Sequence, residues 1–138
     1  MIALGIGLQW LIPLAWINGL AALEATAMGV TMIVAAFAID IWAAIVFRNH
    51  KTTIMPHRPS ARLVTHGPFR FSRNPIYVGN LMVVAGLGLV LSNWWLLILT
   101  PVLGFALHGL AIKGEEQHLE ALFDDQWQDY KTRVRRWI

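Results

Sequence analysis

Long blocks without charged residues constrain the fold of this chain more than any other feature of the sequence. Three blocks stand out: residues 1–23 without any charge, residues 25–47 with Asp40 as their single charge, and residues 75–112 without Asp, Glu, Lys or Arg. A helix needs roughly 20 predominantly apolar residues to cross a bilayer. The first two blocks each predict one span, and the third, interrupted at Ser92-Asn93, predicts a tight hairpin of two.

We therefore expect an all-α integral membrane protein that forms a single domain over residues 1–138. The predicted segments are spans at about 2–20, 25–47, 76–91 and 94–112, a cytoplasmic loop at 48–75, and a C-terminal amphipathic helix at about 115–132. Pro13 predicts a kink in the first span, and Pro75 suits the first turn of a helix. The first block lacks a basic n-region, so we expect a span rather than a signal peptide.

The C-terminal segment has a different pattern from the spans. Its apolar residues recur at three- and four-residue spacing, while acidic residues fill much of the rest: Leu119, Leu122, Phe123, Trp127 and Tyr130 against Glu116, Glu120, Asp124 and Asp125. This spacing predicts an amphipathic helix. Such a helix either lies on the membrane or packs over the polar loop.

The position of the basic residues predicts the topology. All eleven Lys and Arg lie within residues 48–73 and 113–136. With four spans both segments face the same side, and the positive-inside rule makes that side, and both termini, cytoplasmic. With three spans they would face opposite sides. These charges suit topology and anionic lipid headgroups, so we expect the bilayer and no nucleic acid as a partner.

Composition excludes several kinds of site. The chain has no cysteine, which rules out disulfides, thiolate nucleophiles and cysteine-based metal sites. His50, His57 and His66 share the polar loop without regular ligand spacing, so we expect no metal site. His108, within the predicted fourth span, is expected to make an interhelical hydrogen bond.

Two polar stretches flank the predicted hairpin, "GPFRFSRNPIYVGN" before it and "KGEEQHLEALF" after it. Four-span topology brings them together at the cytoplasmic surface, where they offer Arg70, Arg73, Tyr77, Glu115 and Glu116. Arginine clamps carboxylates, glutamate accepts from ribose hydroxyls or an ammonium, and an aromatic ring can face a cation. Nearby glycines and the start of the third span let backbone donors come close. The set predicts a site for a cofactor with a carboxylate, an ammonium, a ribose and a cationic centre.

The stretches "LVTHGPFRFSRNPIYVGN" and "GEEQHLEALFDDQWQDYKTRVRRW" resemble the conserved half of a family of small membrane enzymes that use S-adenosylmethionine. This is the isoprenylcysteine carboxyl methyltransferase and phospholipid N-methyltransferase family. The resemblance covers about residues 52–137, and the first two spans match only in hydrophobicity. It implies cofactor contacts from Arg73, Asn74, Pro75, Tyr77, the Gly-x-Gly of Gly86 and Gly88, and the acidic pair Glu115 and Glu116. We add His66, Gly67 and Arg70 to the predicted cofactor-binding residues.

One position departs from the family pattern. Asn74 stands where histidine is commoner, and asparagine donates a hydrogen bond but does not titrate near neutral pH. This puts in question any mechanism that needs a proton acceptor there. We assign catalytic roles to Arg73, Tyr77 and Asp40, the last because an acid inside a span is costly and often functional. Asp40 could instead pair with a loop arginine or histidine.

The resemblance implies methyl transfer from S-adenosylmethionine to a lipophilic acceptor, which is an isoprenylcysteine-like carboxylate or another hydrophobic carboxylate, thiol or amine. The donor is already activated, so the protein's task is mostly positioning. Plainer interpretations remain open: Arg70 and Arg73 as topology charges, and Gly86 and Gly88 as helix-packing residues. A nicotinamide-dependent membrane reductase and a non-catalytic membrane subunit are the alternative functions. The sequence leaves the acceptor and the oligomeric state open.

Overall fold

The computed structural model describes residues 1–16, 20–49 and 63–138. The described residues form only helices, with no β-strand: α1 (Ile2–Leu11), α2 (Leu20–Asn49), a 3-10 helix (Gly67–Arg70), α3 (Pro75–Val90), α4 (Trp94–Leu107), a π-helical segment (His108–Ile112) and α5 (Lys113–Arg133). The all-α class is thus confirmed over these residues. His50 and His57 of the predicted loop lie outside them.

The lengths of the helices separate them into two groups. Among the described residues, Ala21–Asn49 and Trp94–Arg133 are long and apolar enough to cross a membrane, by length and composition. Ile2–Leu11 and Pro75–Val90 are shorter apolar helices. At a rise of about 1.5 Å per residue they extend roughly 15 and 24 Å, less than the roughly 30 Å of a hydrocarbon core. The helix lengths therefore fit a membrane protein, but they do not by themselves give four spans.

Helix α1 is shorter than the span predicted from the sequence. It ends at Leu11, where residues 2–20 were expected to continue with a kink at Pro13. A proline disfavours helical backbone at the residue before it, and Ile12 has left the helix at φ −134° and ψ 81°. Pro13 therefore ends this helix instead of bending it.

The chain divides into two compact units. Unit 1 consists of Met1–Phe37 and Gly79–Ala106, and unit 2 of Ala38–Val78 and Leu107–Ile138. In unit 1, helices α2 and α3 meet at Gly29 and Gly86. A Cβ added at Gly29 would lie 2.6 Å from the Gly86 carbonyl oxygen, and one at Gly86 would lie 2.8 Å from that of Gly29. Only glycine allows this approach, which is the small-residue packing typical of membrane helices.

The turn between α3 and α4 falls at the predicted Ser92-Asn93 pair. Asn93 caps α4, because its side-chain oxygen accepts a hydrogen bond from the Leu96 amide at 3.2 Å. Its side-chain nitrogen donates to the carbonyl of Gly5 at 3.2 Å. The Asn93 side chain thus pairs with a free amide in the first turn of α4 and also holds α1 beside α4.

Unit 1 also contains the two adjacent indoles at the start of α4. Trp94 donates to the carbonyl of Ala15 and Trp95 to that of Ile12, both at 2.9 Å. These tryptophans lie next to the turn between α3 and α4, and their hydrogen bonds fix the non-helical segment that follows α1.

In unit 2 the predicted amphipathic helix follows the preceding helix without a break. The π-helical segment His108–Ile112 leads directly into α5, which begins at Lys113 and ends at Arg133. A π-helical turn inserts an extra residue and resets the face that later residues occupy. The backbone departs from helical geometry once within α5, at Asp124, with φ 36° and ψ −108°.

Two apolar clusters hold unit 2 together. The first joins α2 to the loop before α3 and contains Ala43, Val46, Val64 and Phe69, with Phe47 and Ile76 packed against it. The second contains Trp127, Tyr130 and Val134, with Leu63, Leu119 and Phe123 packed against it. Leu63 belongs to the polar loop, so the apolar face of α5 packs against that loop. Of the two placements predicted for this helix, the structure supports packing over the loop.

Candidate functional site

The loop before α3 turns at Gly67, the first residue of the 3-10 helix. Gly67 has φ +64°, a conformation that costs other residues roughly 1–2 kcal/mol. A Cβ there would lie 2.7 Å from Val46 Cγ2 and 3.4 Å from Trp42 Nε1. Pro68 follows within the first turn of the 3-10 helix, where its fixed φ is favourable. Gly67 therefore serves a tight turn against α2.

Phe69 anchors this loop on two sides. Its ring meets that of Phe47 edge-on, with centroids 4.9 Å apart. Its carbonyl accepts a hydrogen bond from the Tyr130 hydroxyl at 2.6 Å. Since Tyr130 lies in α5, the loop is held between α2 and the C-terminal helix.

Tyr77 and Glu115 form a direct pair. Tyr77 lies in the first turn of α3, which begins at Pro75 as predicted. Its hydroxyl donates to Oε1 of Glu115 at 2.8 Å. The pair joins the N-terminus of α3 to the N-terminus of α5, and Glu115 Oε2 lies outside this hydrogen bond.

Glu116 is the centre of an ion-pair cluster. Arg136 donates to it twice, from Nε to Oε1 at 3.0 Å and from Nη2 to Oε2 at 2.6 Å. Arg73 Nη1 lies 3.0 Å from Oε1. The side chains of Arg73 and Glu116 are 9% and 12% exposed, so water screens their attraction weakly. The hydrogen bonds that Arg136 donates to Glu116 raise the pKa of Arg136 above its ordinary value.

Arg73 has donors that its neighbours do not satisfy. Its guanidinium lies 5.7 Å from the centroid of the Trp127 ring. Within the described part of the chain, Nε and Nη1 are buried and make no hydrogen bond of good geometry, although Nη1 lies within ion-pair distance of Glu116. Unpaired buried donors are costly. Arg73 Nε is therefore a donor that the described contacts leave without a partner.

Asn74 makes a contact that the sequence does not reveal. Its side-chain nitrogen donates to the main-chain carbonyl of Arg136 at 3.1 Å, and the hydroxyl of Ser72 donates to the same oxygen at 3.3 Å. The Arg73 amide donates to the carbonyl of Arg135 at 3.0 Å. In this chain the side chain at position 74 acts as a hydrogen-bond donor, which asparagine supplies.

Arg70, Gly86 and Gly88 make their described contacts outside this cluster. Arg70 is exposed, and its guanidinium lies 5.7 Å from the centroid of the Phe71 ring. No described hydrogen bond or ion pair joins Arg70 to Glu116. His66 is exposed and precedes the 3-10 helix. Gly86 and Gly88 belong to unit 1, where Gly86 contacts Gly29 and Ile33 and Gly88 contacts Leu97. These are helix-packing contacts, and cofactor binding by either glycine stays a prediction.

Asp40 and His108 each bury a polar atom within an apolar helix. Among the described residues, Asp40 Oδ1 and His108 Nδ1 have no hydrogen-bond partner. The pairing expected for His108 is therefore absent from the described contacts. A catalytic role for Asp40 stays a prediction. No group of three His, Cys, Asp or Glu placed to hold a metal ion occurs in the described ranges.

Sequence reasoning missed Arg136, Ser72 and the specific role of Trp127. Trp127 was assigned correctly to the apolar face of α5, and it is 2% exposed. Its position beside Arg73 depends on how α5 packs on the loop. Arg136 is separated from Asn74 by 62 residues, so no local spacing indicates the contact.

Comparison with known proteins identifies the family of the chain. Residues 25–126 match the phospholipid methyltransferase family. The match covers more than half of the chain and includes Arg73, Tyr77 and both glutamates of the cluster. The chain belongs to this family.

A curated relative is similar over a large part of the chain. The nickel-cobalt-cadmium resistance protein NccN of Alcaligenes xylosoxydans xylosoxydans is 32% identical over 119 residues, which are 86% of this chain and 50% of that protein. The chain thus spans about half the length of this curated relative. No solved structure matches the chain.

Proposed function

We propose that this protein is an S-adenosylmethionine-dependent methyltransferase that acts on a lipophilic acceptor dissolved in the bilayer. The observation that carries the proposal is the burial of the Arg73 side chain together with its unpaired donor. The Arg73 side chain is nearly buried, 9% exposed, and its Nε is a buried donor that no described residue satisfies. A family whose members methylate lipids supplies the reaction class for this site.

The donor and acceptor groups of the cluster fit the polar parts of S-adenosylmethionine. Arg73 would hold the carboxylate, since guanidinium and carboxylate form strong charge-assisted hydrogen bonds. Glu115 would accept from the ammonium or from the ribose hydroxyls with the oxygen that Tyr77 leaves open. The Tyr77 ring offers a π-face to a sulfonium.

The residues of this chain position reactants rather than react themselves. When bound, S-adenosylmethionine would supply an activated methyl group to a lone pair of the acceptor, with the electron pair of the sulfur–methyl bond left on sulfur. Glu116 keeps Arg73 in place, and the hydrogen bond from Tyr77 orients Glu115. Fixing groups in this way lowers the entropic part of the barrier.

The acceptor is proposed only as a class. Its apolar part partitions into the bilayer, and its nucleophile is a carboxylate, a thiol or an amine. An ammonium must lose a proton before it can attack, whereas a carboxylate or thiolate arrives ready. Asp40 enters the proposal as the residue that positions the acceptor, because its buried Oδ1 has no partner among the described residues.

We propose four spans with both termini in the cytoplasm. Residues 69–74 and 116–136 are in direct contact, and this supports placing the loop before α3 and the segment after α4 on one side of the membrane. Helices α3 and α4 would then cross as a hairpin. The basic residues concentrated in both segments make that side cytoplasmic by the positive-inside rule.

Calorimetric titration with S-adenosylhomocysteine tests the proposal. The purified, detergent-solubilised wild type should bind, and Glu115→Gln should weaken binding by roughly tenfold or more, about 1.4 kcal/mol. Glu120→Gln is the matched control, because Glu120 is 43% exposed and pairs with Lys131 at the surface. Its affinity should stay within about twofold of wild type.

A folded wild type that does not bind S-adenosylhomocysteine would contradict the proposal. The same titration with a nicotinamide dinucleotide would then test the reductase alternative. Where binding is found, transfer of a labelled methyl group into organic-phase products identifies the acceptor class.

A further inference from the structure

We infer that Arg136, in the C-terminal segment after α5, is a positioning residue for the cofactor site. This inference rests on the proposed function. Arg136 joins the two halves of the site, which belong to sequence stretches on either side of the α3–α4 hairpin. Its main-chain carbonyl binds the loop before α3, at Ser72 and Asn74, and its side chain binds Glu116 at the start of α5.

The main-chain contacts fix the loop. The carbonyl of Arg136 accepts hydrogen bonds from Asn74 Nδ2 at 3.1 Å and from Ser72 Oγ at 3.3 Å. The preceding carbonyl, of Arg135, accepts from the Arg73 amide at 3.0 Å. The Ser72 hydroxyl also accepts from the Asn74 amide at 3.0 Å. The backbone that carries Arg73 is therefore held by the C-terminal segment on both sides of that residue.

The side-chain contacts fix Glu116. Arg136 binds this carboxylate with two hydrogen bonds, a bidentate geometry that lysine cannot reproduce. Glu116 in turn lies 3.0 Å from Arg73 Nη1. Arg136 thus positions Arg73 in two ways, through the side chains of its neighbours Ser72 and Asn74 and through Glu116.

The arrangement separates the roles of the two glutamates. Both carboxylate oxygens of Glu116 are engaged by arginine, while Glu115 has one oxygen outside its bond with Tyr77. Glu116 therefore acts through Arg73, and Glu115 is the carboxylate that contacts the cofactor. The segment Val134–Trp137 becomes part of the site although it lies beyond the last helix.

Arg136→Ala and Arg133→Ala form a matched pair for the test. Each removes one arginine and one ion pair, but Arg133 is 65% exposed and pairs with Asp129 one turn away within α5. Titration with S-adenosylhomocysteine, at a temperature where both variants are folded, should show binding by Arg136→Ala weakened roughly tenfold or more. Arg133→Ala should stay within about twofold of wild type.

Hydrogen exchange, measured without ligand, supplies a second readout. Arg136→Ala should accelerate exchange in peptides that cover residues 71–78, and peptides from residues 21–37 should be unchanged. Arg133→Ala should change neither. If Arg136→Ala does not fold, Arg136→Lys replaces it, and it should weaken binding by about threefold to tenfold because one of two hydrogen bonds remains.

Two results would overturn the inference. One is an affinity of Arg136→Ala within about twofold of wild type. The other is unchanged exchange at residues 71–78. A wild type that does not bind S-adenosylhomocysteine overturns the proposed function instead. In that case, hydrogen exchange at residues 71–78 decides by itself whether Arg136 joins the loop before α3 to Glu116.

Discussion

The two units of this chain are stabilised by different interactions. Unit 1 is held by close backbone contact, as at Gly29 and Gly86, and by side chains that donate to main-chain carbonyls. Unit 2 is held by ion pairs and polar contacts around Glu116, in addition to two apolar clusters. The first arrangement relies on small residues and neutral hydrogen-bond donors, whereas the second relies on paired charges.

This difference supports placing the proposed site in unit 2. In unit 1, close packing and hydrogen bonds to main-chain carbonyls account for Gly29, Gly86, Trp94 and Trp95. In unit 2 the described contacts leave the buried Nε of Arg73 without a partner. Substitutions in unit 1 should therefore change stability, and substitutions in unit 2 should change ligand affinity as well.

The largest effect is expected for Glu116→Gln. Removing this charge leaves Arg73 and Arg136 close together without their common partner, and breaking a buried ion pair costs about 3 kcal/mol or more. Thermal unfolding in detergent should show a marked loss of stability, and titration should show weakened binding of S-adenosylhomocysteine. Glu120→Gln serves as the control, and an equal effect there would remove the distinction between buried and surface pairs.

Gly29→Ala is expected to separate stability from binding. The added methyl group would meet the Gly86 carbonyl oxygen at 2.6 Å, a backbone atom that cannot move aside without shifting a helix. We expect a loss of roughly 1–3 kcal/mol in the free energy of unfolding, with affinity unchanged for the folded protein. Gly104→Ala is the control, since its Cβ would meet only Leu81 at 3.6 Å. Weakened affinity in Gly29→Ala would contradict the assignment of unit 1 to packing.

Gly67→Ala tests the turn that begins the 3-10 helix of unit 2. The positive φ and the contact with Val46 both oppose a side chain, so we expect a loss of roughly 1–2 kcal/mol in stability. Gly114→Ala, where a Cβ meets nothing within 4 Å, should be neutral or slightly stabilising. Chemical unfolding of both variants measures the difference. Equal stabilities would show that the turn tolerates a side chain.

Tyr130→Phe should have the smallest effect. It removes the hydrogen bond from the hydroxyl to the Phe69 carbonyl and keeps the ring in its apolar cluster. We expect a loss of about 1 kcal/mol in stability and little change in affinity. Tyr77→Phe is the informative comparison, because its hydroxyl contacts Glu115 within the proposed cofactor site. That variant should lose affinity more than stability.

Local patterns predicted much of this fold. The charge-free blocks indicated helices, Pro75 indicated the start of α3, and Ser92-Asn93 indicated the turn before α4. The spacing of Leu119, Trp127 and their neighbours indicated the apolar face of α5. Each of these features depends on residues within a few turns of one another, which is the range over which periodicity carries information.

The sequence was less informative where distant segments meet. Pro13 ends α1 because backbone sterics outweigh the apolar character of the residues after it. The expected meeting of two polar stretches brought Tyr77 and Glu115 to one spot but did not predict their hydrogen bond. The contacts of Arg136 with Asn74 and Glu116 were not predicted at all. Those contacts depend on where the chain after α5 turns back, and no repeat or motif encodes that position.

Comparative titration of two ligands tests the central claim most directly. S-adenosylhomocysteine carries the carboxylate and ammonium, and 5′-methylthioadenosine keeps the nucleoside and thioether but lacks both. Wild type should bind the first at least about tenfold more tightly, and Arg73→Gln should remove most of that preference while leaving affinity for the second nearly unchanged. Equal binding of the two ligands by wild type, or a preference that survives Arg73→Gln, would contradict the assignment of Arg73 as the carboxylate-binding residue.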